Sequence, residues 1–60
     1  MKYGAIIKKL IKEKDRLAGI EEAIIFTSGL PNNNERRALD TIKQAITLIH
    51  EAELCLREYN

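Results

Sequence analysis

Two stretches of helical hydrophobic periodicity are separated by one interruption, Thr27-Ser28-Gly29-Leu30-Pro31-Asn32-Asn33-Asn34. It holds the only proline, one of three glycines and all but one of the asparagines. Gly29 stands where a helix C′ residue wants positive φ, and Pro31 follows as a stop signal. Asn32 with Glu35 has capping-box spacing, while Asn33 and Asn34 are equally good N-cap residues. The chain therefore reads as one domain over residues 1–60: a helix near 2–26, a turn near 27–34 and a helix near 35–59.

In the first arm Tyr3, Leu10, Leu17 and Ile24 recur every seven residues, beside a line of Ile11, Ala18 and Ile25. Ile7 completes the stripe, and Ile6 and Ile20 widen one flank. This is 3–4 spacing, without the strict alternation of a strand. Gly19 falls mid-helix, where glycine costs about 1 kcal/mol relative to alanine. A close backbone approach or a slight bend is the expected reason for it.

In the second arm Ile42, Ile49 and Leu56 share one line and Ala38, Ala45, Ala52 and Tyr59 the next. Leu39 and Ile46 broaden one side, Leu48 and Cys55 the other. A column of small residues beside large aliphatics lets helices approach closely. Each arm would be roughly 37 Å long at 1.5 Å per residue. Matched arms across a short break predict an all-α, antiparallel two-helix hairpin. The charges agree: Lys2, Lys8, Lys9, Lys12, Lys14 and Arg16 would lie alongside Glu51, Glu53 and Glu58. Tyr3 and Tyr59 should meet at the open end.

A lone hairpin buries one interface, which offsets conformational entropy poorly. The apolar stripes are also wider than one partner helix covers. Self-association into a bundle or ring is the expected remedy, with Ile6, Ile20, Ala38, Ala45, Leu48, Ala52 and Cys55 at the interface. The competing reading keeps that face for a different protein.

Composition narrows the function. Ten basic and nine acidic side chains leave a net charge of +1, which disfavours nonspecific nucleic-acid binding. No apolar run nears the ~18 residues of a membrane span, and residues 1–9 lack a signal-peptide core. A cytoplasmic protein is expected. One cysteine forms no internal disulfide, and His50 with Cys55 and Glu53 is too small a set for a metal site within one chain. No nucleophile–base pair, phosphate-cradling glycine loop or cofactor fingerprint is present, so neither enzymatic chemistry nor a cofactor is expected.

Arg36 and Arg37 are the most informative polar residues. They occupy the first turn of the second helix, the end with positive partial charge, where acidic residues normally gather. Guanidinium forks, free amides and neighbouring Asn33 and Asn34 would form a seat for an anion. The alternative is internal pairing with Glu35, Asp40, Glu21 or Glu22. The Lys8, Lys9, Lys12 and Arg16 strip reads as a solvated face, with no aromatic residues interleaved for base stacking.

Three resemblances follow from these residues. By architecture and its layering of alanine beside larger residues, the chain resembles the Rop-type plasmid copy-number regulators, which implies dimerisation into a four-helix bundle. Leu39-Asp40-Thr41-Ile42 is similar to the centre of the Ser-x-x-Leu-Asp-x-Leu-Ile pattern of sporulation phosphatase hairpins, with Arg36 at the serine and Lys43 at the final aliphatic. Arg36-Arg37-Ala38-Leu39-Asp40-Thr41 resembles the opening of the second helix in short phage-encoded sponges that sequester nucleotide signals of bacterial immunity. That resemblance implies an oligomeric inhibitor in the host cytoplasm. It would bind a cyclic or ADP-ribose-like nucleotide without hydrolysis, with Arg36, Arg37 and Thr41 at the phosphates.

Overall fold

The computed structural model describes residues 2–59, and of Tyr59 the backbone alone. Helix α1 spans Gly4–Ser28 and helix α2 spans Asn33–Tyr59, and they pack side by side as an antiparallel hairpin. The turn is shorter than the composition suggested, residues 29–32, because each helix extends into the polar break. Gly29 takes φ 70° and its amide donates to the Ile25 carbonyl at 2.9 Å, which closes the last turn of α1. Asn32 is the residue that caps α2. Its side-chain oxygen accepts from the Glu35 amide at 2.9 Å, and the Glu35 carboxylate accepts from the Asn32 amide at 3.1 Å. Asn33 and Asn34 are already inside the helix.

The seam differs from the expected one by a rotation of each helix. In α1 the line of Tyr3, Leu10, Leu17 and Ile24 is half-buried as predicted. Its companion is the line of Ile7, Lys14, Glu21 and Ser28; of the expected companions Ile11 is half-buried, whereas Ala18 and Ile25 are exposed. In α2, Ile42, Ile49 and Leu56 pair with Leu39, Ile46 and Glu53, and Ala38 and Ala52 stay in solvent. Turning Leu39 and Ile46 inward hides more apolar area than turning alanines inward, at roughly 25 cal/mol per Å². The polar members of these lines are accommodated by pairing across the seam.

Two further expectations fare differently. A Cβ placed on Gly19 would meet nothing within 4 Å, so no close approach within the chain accounts for that glycine. The expected Tyr3–Tyr59 contact lies outside the described residues. Tyr3 itself is half-buried, with the Lys2 ammonium 5.5 Å from its ring centre.

The result is a ribbon of about 43 × 15 × 9 Å with a radius of gyration of 14.0 Å. A compact domain of this length would have about 10 Å. Among the described residues only Ile7 and Leu39 are buried hydrophobics, at 4% and 8% exposure. Neither helix is long and apolar enough to cross a membrane.

Candidate functional site: the start of α2 and the flanks it joins

Three features carry the polar and apolar chemistry of the ribbon. The first is the start of α2. Asn32 and Glu35 occupy each other's donors, and the Arg36 amide makes the first regular helical bond to the Asn32 carbonyl at 2.9 Å. The amides of Asn33 and Asn34 carry no hydrogen bond among the described residues, as a first helical turn requires. Arg36 and Arg37 are both exposed. No ion pair among the described residues joins them to Glu35, Asp40, Glu21 or Glu22. Two guanidinium groups thus stand at a helix N-terminus beside the carboxylates of Glu35 and, one turn on, Asp40, with no ion pair to either among the described residues.

Helical spacing divides the predicted seat. Asn34, Arg37 and Thr41 follow one another at three and four residues and share a line, whereas Asn33 and Arg36 lie on the next line round. The Thr41 hydroxyl donates to the Arg37 carbonyl at 2.8 Å, so its proton is committed and it meets a phosphate only as an acceptor. The donors of the seat are therefore the arginine forks, the asparagine side chains and two backbone amides.

The second feature is a clasp in the seam, which sequence reasoning missed. The Lys14 ammonium sits 2.5 Å from the buried Glu53 carboxylate, and Arg57 reaches the other oxygen with two nitrogens, at 2.9 and 3.0 Å. The Lys14 ammonium also donates to His50 Nδ1 at 3.1 Å. The hydrogen bond from Lys14 holds the Glu53 carboxyl below the usual carboxylate range; burial opposes this, and the charges of Lys14 and Arg57 reinforce it. His50 and Glu53 share a face as predicted, 3.8 Å apart. Both are engaged by Lys14, and no group of three or more metal-ligating side chains occurs among the described residues. Of the predicted pairing between the basic first half of α1 and the acidic end of α2, the structure shows Lys14–Glu53. Arg16 instead pairs with Glu13 on its own helix at 3.2 Å. The missed signal was the pair of seven-residue lines that put Lys14 and Glu53 in register with Ile7 and Leu39.

The third feature is an open apolar groove of about 480 Å³ near the turn. Ile20, Ala23, Ile24 and Thr27 line it from α1, and Asn34, Glu35 and Ala38 from α2. The groove fixes which flanks lie together. The 6, 13, 20, 27 line of α1 adjoins the Ala38, Ala45, Ala52 line of α2. On the opposite side, the Lys14–His50 contact places the basic line of Arg36, Lys43, His50 and Arg57. The predicted interface residues fall on the groove side. Ile6, Ile20 and Leu48 are 48%, 41% and 64% exposed; Ala38, Ala52 and Cys55 are exposed and Ala45 is half-buried. Elsewhere, Phe26 and Leu30 project into solvent at 91% and 84% exposure.

No protein-family model, curated protein or solved structure matches the chain.

Proposed function

We propose that the protein is a non-enzymatic binder that works as an assembly of hairpins and sequesters a phosphate-bearing small molecule, of the cyclic-nucleotide class, at the start of α2. The observation that carries this reading is the pair Arg36 and Arg37. They are exposed, lack an ion pair among the described residues, and stand where the helix already presents positive partial charge and two free amides. Without an anion that arrangement is mildly unfavourable; with one it becomes a set of charge-assisted donors. The resemblance of residues 36–41 to phage nucleotide sponges is in keeping with it, and with a role as an inhibitor of host immunity in the cytoplasm.

The test is thermal unfolding with a panel of cyclic dinucleotides, cyclic trinucleotides and cyclic ADP-riboses. A ligand present at 100 times its dissociation constant adds about 2.7 kcal/mol to stability, and chromatography should recover it unchanged. Arg37→Glu should remove the shift and keep the helix content. No shift with any member of the panel, or a shift retained in both Arg36→Glu and Arg37→Glu, overturns the reading.

A second reading, a regulator that binds another protein through a helical face as Rop-type or response-regulator-binding hairpins do, is favoured by Phe26 and Leu30. Large apolar side chains this exposed suit a partner's surface. Capture of a protein partner that Phe26→Ser abolishes, with no nucleotide shift, would select it.

A further inference from the structure

The groove-side flank has a shape that its own copy fits. We infer that two hairpins stack on this flank about a two-fold axis with their turns at opposite ends, so that Ile6 of each chain enters the groove of the other. The inference rests on the assembly in the proposed function and not on its ligand.

Area is the first argument. A folded chain of 6.9 kDa exposes about 4,000 Å² by the surface–mass relation for monomers, and this one exposes 4802 Å². The excess is about 800 Å², which is one partner's share of a standard interface. The flank most able to supply it is the one without a line of charges. Among positions 6, 13, 20 and 27 of α1 and 38, 45, 52, 41, 48 and 55 of α2 Glu13 alone is charged, and Glu35 adds a carboxylate at the turn end of the groove.

Register is the second argument. A two-fold axis that reverses the long axis lays α1 over the partner's α1, and α2 over the partner's α2. Ile6 and Ile24 lie equally far from Asp15 along α1. An axis at the level of Asp15 therefore carries each half-exposed Ile6 onto the groove of Ile20, Ala23, Ile24 and Thr27. The same axis has one consequence it was not chosen for. Glu13 and Arg16 sit on either side of that level, so each chain's Glu13 meets the other chain's Arg16 in addition to its own.

The opposite stacking, with both turns at one end, fits worse. It would set groove over groove, and the half-exposed Ile6 of each chain would leave the partner's groove unfilled. Voids of that kind forfeit the contacts that make burial favourable.

The experiment is sedimentation of the whole chain at low micromolar concentration together with a cysteine pair. The intact protein should sediment at twice its 6.9 kDa mass. Ile6→Asp should raise the dimer dissociation constant on the order of 100-fold by placing a charge in the apolar groove. In a Cys55→Ala background, Ile6→Cys with Ala23→Cys should form covalent dimers under mild oxidation. Those two positions are about 25 Å apart within one chain, far beyond disulfide reach, so only the stacked copies can join them. Each single cysteine should give none. A monomer, or any other stoichiometry, overturns both this inference and the pairing of copies it specifies. A dimer in which the double variant forms no covalent species overturns the register alone, and the nucleotide panel still tests the seat separately.

Discussion

The two helices are of similar length but are held in different ways. Helix α2 is punctuated at both ends, with the Asn32–Glu35 capping box and Glu35 in its first turn, and Arg57 in its last. Helix α1 begins at Tyr3 without a side-chain cap, has no acidic residue in its first turn and no basic residue in its last, and carries Gly19 in its interior. Six of its residues are β-branched isoleucines, against three in α2. Local signals thus specify α2, and α1 depends on the seam that α2 offers it.

That dependence can be broken most strongly at the seam. Leu39→Ala removes one of the two buried hydrophobic side chains among the described residues and should cost about 2–3 kcal/mol, read as a lower denaturation midpoint with helix lost from both segments. Acid should act next. Glu53 is held below its ordinary pKa, so its contribution is complete at neutral pH. It is lost as pH falls below about 4.3, the unfolded value, and through the lower folded one. Glu53→Gln should flatten that acid limb of the stability curve; an unchanged limb would place the titration elsewhere. Asn32→Ala strikes the better-specified helix at its cap and should cost about 1 kcal/mol. The smallest expected effect is a gain: Gly19→Ala should stabilise α1 by about 0.5–1 kcal/mol, since a methyl group there meets only open space. A loss on Gly19→Ala would mean that a surface of α1 outside the seam is covered in solution.

The hairpin itself was legible because its signals are local. Gly29, Pro31 and the Asn32–Glu35 spacing act within a few residues, and the line through Leu10, Leu17 and Ile24 is periodic enough to mark a helix. How far each helix turns about its own axis was not legible. That rotation is decided by pairs distant in the chain, Lys14 with Glu53 above all, and by whether Leu39 or Ala38 faces inward. A seven-residue line containing Lys14 and Glu21 looks like a solvent face until the partner residues are known. The arginine end was visible for the opposite reason: Arg36 and Arg37 offend a local electrostatic rule, and no ion pair among the described residues relieves it. Thr41 shows the limit, since a hydroxyl's engagement with the Arg37 carbonyl has no signature in composition.

A ribbon 9 Å deep has no inside of its own. Any molecule wholly shielded from water by this protein must be enclosed by two chains together. Enclosure would then need no moving lid; it would follow the abundance of the chain itself, rising more steeply than linearly as copies accumulate. Such a binder is nearly idle when scarce and effective once made in excess, a threshold written into the thickness of a single layer of helices.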